Sequence, residues 1–166
     1  MIIDSSVLIP LSRVGRLSLL KDLFGNVIIT DEVYQETVKE ATGKIGVSTI
    51  EQACNVEKWI EIRNFKDKKA IKKLVELECI APADASLILL AEELNEPLLA
   101  NDYVLIKLAT ARGVDCWWLT TFILQLISQE KISGAEGKQI LFELVENGMR
   151  LSPQVYAVII RKIDEM

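Results

Sequence analysis

The chain has 166 residues, and none of them is histidine. This absence excludes Ser-His-Asp and Cys-His nucleophilic catalysis, histidine-ligated zinc and acid–base catalysis by an imidazole. Any enzymatic chemistry must therefore use carboxylates, lysines, hydroxyls or bound metal ions.

Cysteine is scarce, and its spacing fits neither a disulfide framework nor a zinc site. The three cysteines, Cys54, Cys79 and Cys116, are far apart and form no Cys-x-x-Cys pair. This usage favours a reducing compartment, and we predict a cytoplasmic protein. Asp4 and Arg13 interrupt the N-terminal apolar run, so no secretory signal is predicted.

The chain also lacks an excess of positive charge and a long apolar run. Its formal net charge of −5 argues against a protein that coats nucleic acid by bulk attraction, although local basic patches are compatible with it. The longest apolar-rich stretch, residues 117–127, is too short and too polar to span a bilayer. No membrane association is predicted.

Short apolar segments alternate with segments of helical periodicity over the first two-thirds of the chain. This alternation predicts an α/β fold in which a parallel sheet of four or five strands carries helices on both faces. A possible capping box at Ser48 and Glu51 predicts the start of one of these helices. The expected strands are residues 1–3, 27–29, 59–62, 97–100 and 114–117.

The pattern becomes helical from Leu119 onwards. A capping box joins Ser133 to Glu136, and Ser152 precedes a proline at a helix start. We therefore predict an α/β domain over residues 1–118 and a helical C-terminal extension over 119–166 that packs on the same domain. This extension is expected to cover a sheet edge or to form part of a homodimer surface.

Four acidic residues are expected at one edge of the sheet. Asp4 and Asp102 follow buried strands, Asp84 lies in the first turn of a helix opened by Pro82, and Glu36 lies near another helix start. Carboxyl ends of parallel strands share an edge, so these carboxylates should converge. Their repulsion would be relieved by Mg²⁺ or Mn²⁺, which prefer oxygen ligands. Two such ions can activate a water and stabilise the leaving oxygen of a phosphodiester.

Ser6 and Asn101 are candidates for orienting these carboxylates. Local hydrogen bonding within turns is an equally good explanation for both residues. Asp4 is also interpretable as a simple helix cap, and Asp84 and Asp102 as first-turn acids favoured by the helix dipole.

Four segments of the chain resemble the motifs of the PIN-domain superfamily, a group of metal-dependent nucleases, in the family's order. The resemblance covers residues 1–117. The tail motif at residues 148–153 is similar to that of an uncharacterised, largely archaeal subgroup related to toxin–antitoxin ribonucleases. The matching segments are Ile2-Ile3-Asp4-Ser5-Ser6-Val7-Leu8-Ile9, Val33-Tyr34-Gln35-Glu36, Asp84-Ala85-Ser86-Leu87-Ile88 and Leu98-Leu99-Ala100-Asn101-Asp102.

The resemblance implies a Mg²⁺- or Mn²⁺-dependent endoribonuclease that cleaves RNA by a two-metal carboxylate mechanism. Asp4, Glu36, Asp84 and Asp102 would be its metal ligands and catalytic residues. It also implies RNA as a partner and a toxin-type role with an antitoxin-like protein. A homodimer is predicted as well, because the apolar C-terminal helices could form its surface. The alternative is a catalytically weak PIN fold that serves as a nucleic-acid-binding or protein-interaction module.

The choice of Glu36 rests on the family motif alone. Glu32 and Glu40 lie one turn away, and an exposed acidic stripe is the ordinary explanation of such spacing. Two departures from the family pattern support the alternative of a catalytically weak PIN fold. Ala83 stands before the third acid where glycine is common, and Ala100 replaces a common threonine.

One basic cluster stands out in the second half of the α/β region. Its members are candidates for contact with a phosphate backbone, although a solvated helix face is the simpler interpretation. Trp117, Trp118 and Phe122 could stack on bases, but we expect at least two of them to pack in the core or at a dimer contact. The main candidates of the basic cluster are Arg63, Lys66, Lys69 and Lys73, with Lys68 and Lys72 beside them.

Overall fold

The computed structural model describes residues 1–166, and a five-stranded parallel sheet forms its centre. The strand order is β3-β2-β1-β4-β5, with every neighbouring pair parallel. The predicted parallel α/β fold is therefore confirmed. The strands are β1 (Ile2–Ile3), β2 (Val27–Ile29), β3 (Ile60–Ile62), β4 (Leu98–Ala100) and β5 (Cys116–Trp118).

The adjacent inner strands β1 and β4 carry unbroken apolar runs because both faces of the sheet are covered. Every residue of these two strands is fully buried. Ile2 lies opposite Leu98 and Ile3 opposite Leu99. The pairing extends one residue beyond β1, where the Asp4 N–H donates to the Leu99 carbonyl at 3.0 Å. The sheet thus fixes the backbone of the first acidic residue.

Ten α-helices surround the sheet. The most buried is α6, in which seven consecutive residues, 85–91, are buried, as its almost uniformly apolar sequence predicts. The helices are α1 (Ser5–Arg13), α2 (Ser18–Phe24), α3 (Asp31–Tyr34), α4 (Val47–Asn55), α5 (Lys68–Glu78), α6 (Pro82–Leu94), α7 (Tyr103–Ala111), α8 (Leu119–Ser128), α9 (Gly134–Glu146) and α10 (Pro153–Asp164).

The helix after β2 differs from the single helix to about residue 41 that the sequence indicates. Thr30 caps α3, which ends after one turn, and the chain continues as a π-helical segment over Gln35–Lys39. The Glu40 N–H donates to the Gln35 carbonyl at 2.9 Å, which is the wider spacing of a π-helix. Glu36 lies in this segment, so its direction could not be read from a 3.6-residue period.

The three C-terminal helices pack against the rest of the chain. The apolar side chains of α8, α9 and α10 belong to the same hydrophobic cluster as those of the sheet. Arg16 also forms ion pairs with Glu136 at 3.3 Å and Glu143 at 3.6 Å, both on α9. The division into units at residue 118 stays a prediction. None of the helices has both the length and the apolar character that crossing a bilayer requires.

Helix α4 starts before the predicted capping box. It begins at Val47, and Ser48 lies inside it, so the expected cap at Ser48 is wrong. The residue preceding the helix is Gly46, with φ of +90°, and a Cβ there would lie 2.4 Å from Ser12 Oγ and 2.8 Å from the Ser12 carbonyl carbon. Close packing of α4 on α1, a tertiary contact, sets this helix start.

Gly46→Ala is therefore expected to destabilise the protein more than Gly43→Ala. Gly43 also has positive φ, at +83°, but has open space where a Cβ would go. Backbone strain should cost about 1–2 kcal/mol in both variants, and the clash with Ser12 should add about 1–3 kcal/mol for Gly46 alone. Urea unfolding of the two variants measures the difference. Equal losses would contradict the close approach of the two helices.

Candidate functional site

Asp4 stands at the end of β1 and caps α1. Its carboxylate accepts hydrogen bonds from the Ser6 backbone N–H at 3.1 Å and from the Ser6 hydroxyl. The residue is only 7% exposed. Burial raises the pKa of the Asp4 carboxyl above its ordinary value, while the Ser6 hydrogen bonds oppose this and the charge of Asp102 adds to it. Asp4 therefore caps α1, as one interpretation of the sequence predicts. It also lies in an environment that disfavours its charged form.

Asp84 projects from the first turn of α6 and is partly exposed. Its pKa is raised from 3.8 to about 6, first by burial and then by the charges of Asp4 and Asp102, with a smaller effect of Glu36. The raised pKa shows that Asp84 lies within electrostatic reach of the three other predicted carboxylates.

Asp102 caps α7 in the same way that Asp4 caps α1. Its carboxylate accepts from the Leu105 N–H at 2.9 Å, and the residue is exposed. The ends of β1 and β4 are joined by Ser6, whose hydroxyl donates to Asp4 and accepts the Asn101 backbone N–H at 2.8 Å. Ser6 therefore fixes the Asp4 carboxylate relative to the turn that carries Asp102.

Glu36 is exposed. It differs from the nearby Glu32 and Glu40 in its effect on Asp84. Glu32 accepts a long hydrogen bond from the Ser86 hydroxyl at 3.4 Å. Of the three glutamates at this spacing, only Glu36 contributes to the pKa of Asp84. This effect is the smallest of those that act on Asp84, but it favours Glu36 independently of the family motif.

The four carboxylates have no cationic partner. No lysine, arginine or N-terminal amine lies within 4.0 Å of a carboxylate oxygen of Asp4, Glu36, Asp84 or Asp102. At the same time, no three Asp, Glu or Cys side chains are positioned as a ready-made metal site. The acids form an open, mutually repelling group. Such a donor set fits a hard divalent cation, because the cation would remove both the repulsion and the cost of burying Asp4.

A cavity of about 350 Å³ lies beside these acids. Ser5, Ser6, Glu36 and Asn101 line it on the side of the sheet, and the loop 147–150 between α9 and α10 closes it from the C-terminal extension. Two arginines line it as well, Arg13 and Arg150. The tail motif at residues 148–153 was a visible signal in the sequence, but its position beside the acids depends on how α8, α9 and α10 pack.

The predicted basic cluster lies on α5 and in the segment between β3 and α5. Arg63, Lys66, Lys69 and Lys73 are all exposed, and Arg63 is bonded to Glu61 at 2.7 Å. Their neighbours Lys68 and Lys72 line a groove of about 490 Å³ that reaches Glu32 and Pro82, the latter two residues before Asp84. Two lysines of the cluster therefore line a groove that reaches the start of α6, the helix that carries Asp84.

The C-terminal aromatic residues pack mainly inside the molecule. Phe122 is fully buried and stacks on Phe24, with ring centroids 5.8 Å apart. Trp117 meets Phe24 edge-on at 5.9 Å, and Trp118 is partly buried. Packing thus accounts for Trp117 and Phe122, as expected.

Comparisons with known proteins extend this description. A family model described as a PIN domain, DUF3368, matches residues 1–165. Among solved structures, the chain is similar to a PilT N-terminus domain protein from the archaeon Sulfolobus solfataricus, with a TM-score of 0.55 and 18% identity over 75% of this chain and 90% of the other. It is also similar to PAE2754 from Pyrobaculum aerophilum, with a TM-score of 0.54 and 16% identity over 76% and 94% of the two chains.

No curated protein matches the chain. The two structural similarities, at this low identity, establish the fold. The family match covers almost the whole sequence, including the helical extension. The chain belongs to the PIN-domain family.

Proposed function

We propose that this protein is a Mg²⁺- or Mn²⁺-dependent endoribonuclease. PIN domains are generally nucleases, and the observation that supports this activity best is that Asp4 and Asp102 follow neighbouring strands joined through Ser6 and have no cationic partner. The environment of Asp84 agrees with it. Its pKa is raised to about 6 by burial and by the charges of Asp4 and Asp102. A group of acids that raises its own pKa without any cationic partner costs stability, and a metal-binding role explains why the chain holds such a group.

In this proposal Asp4, Asp84 and Asp102 hold the metal, and Glu36 completes the set from the π-helical segment. Bound divalent ions would supply an activated water and stabilise charge on the leaving oxygen of the phosphodiester. Ser6 holds the Asp4 carboxylate in place through its hydroxyl, which also accepts from the Asn101 N–H. Asp102 is exposed, so a substrate can reach it from solvent.

Cleavage of mixed single-stranded RNAs with and without Mn²⁺ tests the activity. We expect internal cleavage that requires the metal and is lost in EDTA. The matched pair Glu36→Gln and Glu40→Gln then tests the choice of glutamate, since both residues are exposed and one turn apart. Loss of cleavage in both variants, or in neither, would contradict a specific role for Glu36.

Metal binding can be measured without any assay of activity. A ligand that binds only the folded state stabilises it by about 2.7 kcal/mol at a hundredfold excess over Kd. We therefore expect Mn²⁺ to raise the Tm of the wild type and to raise that of Asp102→Asn much less. An equal rise in both proteins would place the metal elsewhere.

A second candidate function is a catalytically weak PIN fold that binds nucleic acid or a protein. The observation in its favour is that no three acidic side chains are positioned as a ready-made metal site. The two candidates differ in the calorimetric titration with Mn²⁺, because a binding module has no need of metal at these carboxylates. A wild type that binds RNA but shows no heat of Mn²⁺ binding at this site would favour the second.

One finer part of the proposal rests on the resemblance to toxin-type PIN proteins. This is a role as a toxin nuclease with an antitoxin-like protein. The homodimer is proposed from the C-terminal helices, and the cytoplasmic location from the scarcity of cysteine. Sedimentation equilibrium tests the dimer directly, and we expect a mass of twice the chain's 18.6 kDa.

A further inference from the structure

Two arginines share one cavity, and neither has an acidic partner. The chain has six arginines, and four of them form ion pairs: Arg16 with Glu136, Arg63 with Glu61, Arg112 with Glu92 and Arg161 with Glu165. The remaining two are Arg13 and Arg150. Both line the cavity of about 350 Å³ beside the acidic group.

The unpaired state of these arginines is notable because the chain is acidic. With a net charge of −5, carboxylates are abundant on the surface. Glu36 lines the same cavity, yet no carboxylate lies within 4.0 Å of either guanidinium. Two guanidinium groups at one cavity, free of internal partners, are suited to an external anion.

Both arginines have well-supported backbones. Arg13 is the last residue of α1, the helix that Asp4 caps at its other end. Arg150 follows Met149, which is buried and whose N–H donates to the Leu144 carbonyl at 2.9 Å. Leu151 on its other side packs against the core. The loop therefore holds Arg150 at the cavity from two anchored neighbours.

We propose that Arg13 and Arg150 form a subsite for backbone phosphates of single-stranded RNA next to the bond that is cleaved. This inference rests on the proposed function and adds a role for the C-terminal extension, which supplies Arg150. Guanidinium groups bind phosphate oxygens through two parallel hydrogen bonds. Asn101 lines the same cavity and adds an amide to it. An acidic centre repels RNA, so cationic side chains are needed beside it to hold the strand.

The position of the cavity favours RNA over a protein partner as its occupant. It borders Ser5 and Ser6, which directly follow Asp4, and Glu36 of the π-helical segment. If the cleaved phosphate of an RNA strand lies at the acids, a neighbouring phosphate of the same RNA would lie within this cavity. The basic cluster on α5 lies in a different groove, next to Glu32 and Pro82. The cavity and this groove share no lining residue.

The test measures RNA binding and cleavage separately. A fluorescein-labelled single-stranded RNA is titrated onto Arg13→Gln, Arg150→Gln and Arg150→Lys in the Asp84→Asn background, in which no cleavage is expected. Arg161→Gln is the control, since Arg161 is exposed on the same extension and does not line the cavity. We expect Kd to rise about tenfold for each glutamine variant and the slope of log K against log salt to fall by about 0.7. Arg150→Lys should recover the slope but only part of the affinity.

Cleavage kinetics in the otherwise unchanged protein complete the test. We expect both glutamine variants to raise KM with a smaller effect on kcat, and Arg161→Gln to change neither. If the wild type cleaves RNA and the variants bind and cleave like it, the subsite is overturned while the proposed function stands. If the wild type does not cleave but each arginine variant weakens binding as described, the proposed function fails, while the binding of RNA phosphates by Arg13 and Arg150 stands.

Two further outcomes would overturn the inference. Faster cleavage by Arg150→Gln at an unchanged KM would make Arg150 an internal inhibitor of the acids. A wild type that neither binds nor cleaves single-stranded RNA would remove both the subsite and the proposed function.

Discussion

Asp84→Asn is expected to abolish RNA cleavage while leaving the fold intact. Removal of an outer partner of a metal ligand typically costs about 10- to 100-fold in activity or metal affinity, so loss of a ligand should cost more, on the order of a thousandfold. Asp84 is only partly buried, in the first turn of α6, where an amide can replace it without loss of volume. The measurement is kcat/KM on one RNA substrate, with circular dichroism as the check on folding.

Ser6→Ala is the graded companion of this variant. It removes the hydroxyl that donates to Asp4 and accepts from the Asn101 N–H, but it leaves all four acids in place. We expect a loss of about 10- to 100-fold, between the wild type and Asp84→Asn. If Asp84→Asn retained most of the wild-type activity, Asp84 would be a first-turn acid and the proposed mechanism would lose its central residue.

The second large effect concerns the stability of the metal-free protein as the pH changes. The pKa of Asp84 is about 6 in the folded protein, against an ordinary value of 3.8. The folded state therefore binds more protons than the unfolded state between these two values. Stability contributed by Asp84 is fully present below about 3.8 and is lost as the pH rises through about 6. The raised pKa of Asp4 acts in the same direction.

The Asp84→Asn variant has no titrating group at this position, so it should not lose this stability as the pH rises. We expect the variant to be as stable as the wild type or more stable at neutral pH in EDTA, and the difference to shrink or reverse as the pH falls below about 6. Urea unfolding across this range gives both curves, and their difference isolates Asp84 from the other acids. Parallel curves at all pH values would show that Asp84 does not carry a raised pKa.

Addition of Mn²⁺ should remove the loss of stability that the wild type shows when Asp84 ionises. The metal competes with protons for the carboxylates, so its stabilising effect should grow as the pH rises through about 6. A structural ion pair would behave in the opposite way, because breaking it by an Asp-to-Asn change lowers stability at neutral pH. The sign of the change in Asp84→Asn therefore separates a metal site from a structural contact.

The sequence by itself determined the strands and three of the acidic positions. Short unbroken apolar runs such as Ile2–Ile3 and Leu98–Ala100 are typical of strands that are buried on both faces of a parallel sheet. A parallel sheet brings the carboxyl ends of such strands to one edge, so the places of Asp4 and Asp102 followed from the pattern. Pro82 in a first helical position placed Asp84 in the same way.

Tertiary structure decided the features that depend on contacts between distant segments. The start of α4 is set by the approach of Gly46 to Ser12, and a local capping pattern at Ser48 could not reveal it. The π-helical segment changes the direction of Glu36 in a way that a regular helical period does not describe. Arg150 lies 146 residues after Asp4 in the chain (150 − 4), yet it lines the cavity beside the residues that follow Asp4. Local sequence patterns indicate burial and turn formation. Contacts between distant segments depend on how whole helices pack, and a single sequence does not state which segments lie close together.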